Sequence, residues 1–395
     1  MASRGQFQPM SGNDNIPEIG VGLLGYRFMG RVHSNAYRKI PDSFWPPAAR
    51  PRLVALCGRD AELVAAHARR YGYDGYYTDW RAMIEDDRIQ IFDNCGPHSL
   101  HVEPSIAALE AGKHVLCEKP MALTSADAAR MVIAARKSGG KHMCGFNYRF
   151  VPAVRLAREI IERGLLGKIY HFRCHYLQES AHDPDRPPAK APDPDAPWVG
   201  SLLNLGSHVI DMARFVVGEP LSVSALMSTF EPTRPLASGE RIKIESDDAF
   251  LALLEFANGP IGVLEASRVA TGRKNRQYWE VNGSKGSVCF DLERLNELQV
   301  CLEGGAAEHL TGFQNVLVTE AQHPFIKFWW PRGHILGWEH AHVNEIYHFV
   351  EAVVLHKDVA PYGATFEDGY RVAVISDAIV ESARTGRRIP VRYEI

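Results

Sequence analysis

The chain has 395 residues, 46% hydrophobic and 23% charged, with 44 basic against 47 acidic side chains and a formal net charge of -3. That length exceeds one compact core and predicts two domains. The near-balanced charge argues against nucleic acid or an anionic membrane surface as partner, since both favour a basic face. No apolar run reaches the roughly 18 residues that cross a bilayer, and the N-terminus shows no apolar targeting segment. Seven scattered cysteines without a close pair fit a reducing cytoplasm.

Residues 1–17, polar and rich in Gly, Asn and Gln, are expected to form a flexible arm. Residues 19–24 make a short apolar run that ends in glycine and reads as a buried parallel strand. Residues 31–39 read as a helix, 41–51 as a long proline-rich loop, 53–57 as a strand and 61–71 as a helix. The alternation continues through 89–94, 101–111, 114–117, 125–137 and 142–146. It predicts an α/β domain over residues 18–148, with a parallel sheet, helices on both faces, and a ligand crevice beyond the carboxyl ends of the strands. After residue 148 the pattern changes. Residues 154–163 read as a helix. The segments 169–178, 221–230, 248–256, 261–269, 278–281 and 286–291 alternate polar and apolar residues. Turn pairs such as Asn258-Gly259 and Asn282-Gly283 separate them. Residues 183–197, rich in Pro and Asp, read as a loop, and 339–356 and 367–385 as closing helices. Residues 149–395 are thus expected to form an α+β domain with a large, mostly antiparallel open sheet. Its apolar strands 250–256 and 261–264 leave a face for another copy to cover, in a homodimer or homotetramer.

The first strand runs into Gly25-Tyr26-Arg27-Phe28-Met29-Gly30, a G-x-G-x-x-G turn whose middle glycine is Arg27. The first glycine permits the turn, the last permits close helix packing, and the helix N-terminus offers N–H groups to a pyrophosphate. Arg27 crowds the middle position, but its charge suits a phosphate. Gly25, Arg27, Phe28, Met29 and Gly30 are therefore expected dinucleotide contacts, with an ordinary glycine turn as the competing reading. Beyond the second strand, Gly58 stands where a ribose-binding acid is expected, and Arg59 and Asp60 follow. Arg59 favours a 2′-phosphate and Asp60 leaves a free ribose open, so both NAD(H) and NADP(H) fit.

Four further segments carry a resemblance. They are Ala111-Gly112-Lys113-His114-Val115-Leu116-Cys117-Glu118-Lys119-Pro120, the turn at 95–101, Gly145-Phe146-Asn147-Tyr148-Arg149, and Gly206-Ser207-His208-Val209-Ile210-Asp211. Together they resemble the Gfo/Idh/MocA family, that of glucose–fructose oxidoreductase and inositol dehydrogenase, over nearly the whole chain after residue 17. Residues 44–46, 176–178, 272–300 and 323–338 resemble its glycoside oxidoreductases more closely. The resemblance implies a Rossmann domain and hydride transfer between a nicotinamide and a secondary hydroxyl carbon of a sugar, glycoside or polyol. It implies that Pro97, His98, His101, Glu118, Lys119 and Asn147 lie at the cofactor. Lys119 is then the active-site lysine, and Tyr148, Arg149, Tyr176 and Gln178 face the substrate, with a domain-junction network as the competing reading.

His208 is the expected general base on oxidation and acid on reduction, because an imidazole pKa near ~6.5 suits proton transfer at neutral pH. Asn204 lies four residues earlier, on the same face of a helix, and Asp211 three residues later could orient the ring. Asn204 departs from the family, where an aspartate is usual. Asn can donate and accept hydrogen bonds to a substrate but cannot serve as a base, so more of the proton work falls on His208. Phe328, Trp329, Trp330 and Trp338 suit either a sugar face or the core. His340-x-His342 is a lone H-x-H without a nearby carboxylate cluster, and i,i+2 side chains diverge on a helix, so no metal is expected. Two other readings compete. One is an enzyme that recycles tightly held cofactor during elimination or isomerisation. The other is a non-catalytic dinucleotide sensor.

Overall fold

The computed structural model describes residues 15–185, 187, 199–236, 238–304 and 311–395. Most of the arm expected at 1–17, and of the loop expected at 183–197, lies outside these residues. Strands β1 (Glu18–Leu24), β2 (Arg50–Cys57), β3 (Gly75–Tyr77), β4 (Ile91–Asn94), β5 (His114–Glu118) and β6 (His142–Gly145) form a wholly parallel sheet in the order 3-2-1-4-5-6. Helices α1 (Phe28–Ser43), α2 (Ala61–Tyr71), α3 (Trp80–Ile84), α4 (Val102–Glu110) and α5 (Ser125–Lys137) connect them. The strand order reverses between β1 and β4, which opens the crevice where such sheets hold ligands. Helix α1 begins at the phosphate turn and runs on through Pro41, so the loop expected from 41 to 51 shrinks to the segment before β2. β3 and α3 are too short to leave a periodic signal. β3 is an edge strand, and α3 is set by the Asp79 side chain, which accepts from the Arg81 N–H.

Helix α6 (Pro152–Glu162) leads into the second sheet. Its nine strands run β16-β15-β14-β13-β7-β12-β11-β8-β17. In chain order they are β7 (Ile169–Leu177), β8 (Pro220–Ser228), β11 (Ala249–Phe256), β12 (Ile261–Ser267), β13 (Arg276–Gly283), β14 (Gly286–Asp291), β15 (Glu297–Leu302), β16 (Gln314–Leu317) and β17 (Ile389–Pro390). A small hairpin, β9 (Thr233–Pro235) with β10 (Arg241–Lys243), stands apart. All pairings in the large sheet are antiparallel except β7 with β12. Helix α7 (Ser207–Val216) and the closing helix α9 (Phe366–Thr385) pack on its inner face, over Phe172, Phe250, Leu254 and Trp279, all buried.

Helix α8 (Glu339–Val354) crosses back to the first sheet. It buries Val343, Ile346, Phe349 and Val350 against Tyr37 and Ile40 of α1. Residues 339–354, expected with the second domain, thus cover the first. α9 also touches both units, and the Cys144 N–H of β6 donates to the Ala364 carbonyl at 2.7 Å just before it. The crevice is walled by residues remote in sequence.

Candidate active site

The phosphate turn has the shape its glycines require. Gly25 has φ 98°, and a Cβ there would lie 2.4 Å from the Cys95 carbonyl oxygen. A Cβ at Gly30 would lie 1.9 Å from the Gly25 oxygen, so the helix can approach the strand only without a side chain. The first turn of α1 has no acidic residue and no side-chain cap, which leaves its N–H groups to an anion. Arg27 and Phe28 are exposed at this end, and Phe28 stacks on Trp338 at 5.8 Å. At the far end, the Tyr26 ring stands 2.3 Å from where a Gly58 Cβ would sit, and itself stacks on His67 at 5.1 Å. Tyr26 thus occupies the space of the expected acid. Asp60 is committed to capping α2 through the Leu63 N–H at 3.0 Å, and Arg59 is exposed. On the other side of the crevice the Asn147 side-chain nitrogen is buried without a partner. An uncapped helix start, an exposed cation and an orphaned amide donor together fit a dinucleotide.

Two residues expected at the cofactor act as braces. The His101 ring is buried, with Nδ1 2.8 Å from the Pro120 carbonyl and Nε2 3.2 Å from the Gly96 carbonyl. It thereby ties the turn holding Pro97 and His98 to the turn after β5. Glu118 is buried too. Its Oε1 meets His33 Nε2 at 3.0 Å and its Oε2 accepts the Lys119 N–H at 3.0 Å.

Lys119 follows β5, and its Nζ donates to the Asn204 carbonyl at 3.0 Å and to its Oδ1 at 3.2 Å. Asn204 lies in a π-turn, Leu202–Gly206, that leads straight into α7 and His208. The turn is held by Asp247, whose Oδ2 accepts from the Leu202 N–H at 2.9 Å and from the Ser201 hydroxyl. His208 is buried among the rings of Tyr148, Tyr176 and Phe146, at 4.7, 5.8 and 6.0 Å. Burial, and then the nearby Lys119 ammonium, push its pKa well below the usual imidazole range. Burial also lowers the Lys119 pKa, though Glu118 works the other way. Lys119, Asn204 and His208 therefore form one site, with a neutral imidazole beside an ammonium. Tyr148 OH and Tyr176 OH lie 2.8 Å apart. The Tyr176 hydroxyl and the Gln178 amide both donate to Asn275 Oδ1, at 2.8 and 2.6 Å.

Arg149 is placed otherwise than expected. It is buried and makes a forked ion pair with Asp211, Nε to Oδ2 at 2.9 Å and Nη2 to Oδ1 at 2.6 Å, with Asp368 beyond at 3.3 Å. It is a structural cation, and Asp211 is its partner rather than the orienter of His208. Phe328 and Trp329 pack on Phe44 at 4.8 and 5.8 Å as core, whereas Trp330 is exposed. Asn275, Asp247 and His33 carried no signal. They lie on unrelated elements, and polar residues of their kind are common in any chain.

Two family models match the chain: an oxidoreductase family with an NAD-binding Rossmann fold over residues 19–146, and a GFO/IDH/MocA C-terminal domain over 154–289. The levoglucosan dehydrogenase of Pseudarthrobacter phenanthrenivorans is 40% identical over 382 residues, 93% of this chain and 97% of that protein. A solved levoglucosan dehydrogenase, complexed with NADH and L-sorbose, superposes with a TM-score of 0.91 at 39% identity, covering 96% of this chain and 100% of that one. An oxidoreductase domain protein from Kribbella flavida does so with a TM-score of 0.91 at 41% identity, with 96% and 100% covered.

Proposed function

Because this chain belongs to the GFO/IDH/MocA oxidoreductase family, we propose that it oxidises a secondary hydroxyl of a sugar or glycoside, or reduces the ketone, with Lys119 and His208 handling the hydroxyl proton. The observation that carries the reading is the ammonium of Lys119 held on Asn204 beside the neutral, buried imidazole of His208, at the ends of β5 and α7. Bound NAD(H) or NADP(H) supplies the hydride acceptor or donor. The turn Gly25, Arg27, Phe28, Met29 and Gly30 holds its pyrophosphate, Arg59 its adenine ribose, and Pro97, His98 and Asn147 its nicotinamide end.

Lys119 donates a hydrogen bond to the reacting oxygen and stabilises charge that develops there. Nδ1 or Nε2 of His208 takes the hydroxyl proton on oxidation and returns it on reduction. Burial and the lysine push its pKa well below the ordinary imidazole value that first suggested the role, so the ring is free to accept a proton but is a weaker base than expected. Asn204 fixes the lysine by accepting its N–H bonds, a task that needs no carboxylate. Tyr148, Tyr176 and Gln178, linked through Asn275, offer hydroxyl and amide groups to a polyhydroxylated ligand. Levoglucosan, named by the relative above, is the first substrate to try. The outer face of the C-terminal sheet exposes Leu226, Leu251, Leu253 and Ile261. A second copy covers it in a homodimer or homotetramer, testable by size-exclusion chromatography with light scattering.

The test is a screen of levoglucosan, other sugars and glycosides, and inositols against both nicotinamide cofactors, read by absorbance of the reduced ring. Lys119→Ala and His208→Ala should each lose about 100-fold or more in kcat/KM while still binding cofactor. Full turnover in both variants would defeat the assignment.

A further inference from the structure

Behind the lysine, five buried ionisable side chains from four elements converge. His33 comes from α1, Asp93 from β4, Glu118 from β5, and His342 and Glu345 from α8. His33 is held at both ends, with Nδ1 2.9 Å from Asp93 Oδ2 and Nε2 3.0 Å from Glu118 Oε1. Opposite it, both nitrogens of His342 and both oxygens of Glu345 are buried without any hydrogen-bond partner. His342 Nδ1 and Glu345 Oε2 stand 3.6 Å apart, too far for a bond to each other. An unmet buried polar atom costs about 1–3 kcal/mol, so four at one place call for an occupant. Trp338 closes over His342 at 4.6 Å between ring centres, which suits an occupant of atomic size rather than an organic molecule.

One ligand atom each from His33, Glu118 and His342 lie within 4.8 Å of one another. Two imidazole nitrogens and a carboxylate oxygen suit zinc and its neighbours, whereas magnesium and calcium prefer oxygen alone. Each imidazole has a carboxylate behind it, Asp93 on His33 and Glu345 beside His342. Metal-binding histidines are typically oriented by a hydrogen-bonded carboxylate, a bond Asp93 makes to His33 and for which Glu345 is the neighbour of His342 at 3.6 Å. We propose that His33, Glu118 and His342 form a buried site for a divalent transition-metal ion of the zinc class, with Asp93 and Glu345 orienting the two imidazoles. The ion ties α1 and α8 to β5, and holds one oxygen of Glu118 while the other keeps its bond to the Lys119 N–H. The sequence spacing alone pointed to no metal, because the three ligands come from positions 33, 118 and 342.

The proposal does not depend on the dehydrogenase reading, and its test reads the metal itself. Full-length protein is stripped with a chelator, dialysed, and titrated with Zn2+ by calorimetry and with Co2+ by visible absorption. Bound metal is counted by mass spectrometry. The expected result is about one ion per chain and a tetrahedral-type Co2+ spectrum. Glu345→Gln, which keeps the ligands and the volume, should weaken binding 10–100-fold, and His342→Gln by more. Should His342→Gln fail to fold, Glu345→Gln alone decides. Stripped parent protein that binds no Zn2+ and gives no Co2+ spectrum would mean ordered water fills the cluster, and would overturn the proposal. So would unchanged affinity in Glu345→Gln and in any folded His342→Gln.

Discussion

Replacing Arg149 by methionine separates a structural cation from a substrate contact. The side chain is 2% exposed and spends two N–H groups on Asp211, itself 2% exposed. In Arg149→Met an apolar side chain replaces the guanidinium over the Phe215 ring, while Asp211 loses its partner in a dry place. Breaking a buried pair in this way costs about 3–5 kcal/mol. Protonation of Asp211 sets a ceiling. Raising a carboxyl from its ordinary 3.8 to above pH 7 costs at most about 4.4 kcal/mol, at 1.36 kcal/mol per pH unit. At pH 5 the same ceiling is about 1.6 kcal/mol. With an unfolding entropy of roughly 2.1 cal/mol/K per residue, 4 kcal/mol lowers Tm by about 5 °C for a chain that unfolds as one unit. Thermal and urea unfolding at pH 7 and pH 5 should therefore show a deficit that shrinks in acid. The double variant Arg149→Met/Asp211→Leu should regain most of it, since an apolar pair can replace a buried ion pair at little cost. Below the melting range, kcat/KM should stay within about threefold of the parent. An unchanged Tm together with a 100-fold fall in kcat/KM would refute this placement and return Arg149 to the substrate.

Stability should fall on mild acidification. Burial lowers the pKa of His101, His208 and His142, the last to about 4. Below about pH 6.5 these rings gain protons in the unfolded chain but not in the folded one, so stability present above that pH is lost as pH drops, by about 1.4 kcal/mol per unit for each ring. Urea midpoints flat from pH 6.5 to 5 would contradict this. Gly25→Ala forces a positive φ on alanine and drives its Cβ towards the Cys95 carbonyl. Cofactor affinity, followed by fluorescence of the reduced nicotinamide, should fall at least about tenfold, with more than about 1 kcal/mol lost in stability. Asp247→Ala frees the π-turn that carries Asn204. It should lower kcat/KM roughly tenfold with cofactor affinity unchanged, and an equal loss in both would mean a global defect.

Strand and helix alternation to residue 146, the antiparallel pattern after it, the glycines at 25 and 30, and the turn bearing Lys119 were all legible in the chain. Each is a local matter: periodicity records which face of an element is buried, and a glycine records where a Cβ has no room. The same locality hid the rest. Gly58 could be seen to lack an acid, but not that Tyr26 fills its place. Arg149 stood next to Tyr148, which lies against His208, yet its direction was set by Asp211, 62 residues away. Asp211 stood one helical turn after His208, yet faces the arginine. Asp247 and Asn275 gain meaning only when segments remote in sequence meet within the second unit, and the cluster around His33 only when α8 packs back on the first. Helix α8 joins the first core because its apolar stripe fits α1, and a stripe does not say which partner it will meet. Local order follows from the chain's own covalent geometry and hydrophobic spacing, whereas partners across long separations are chosen by the packing of whole elements.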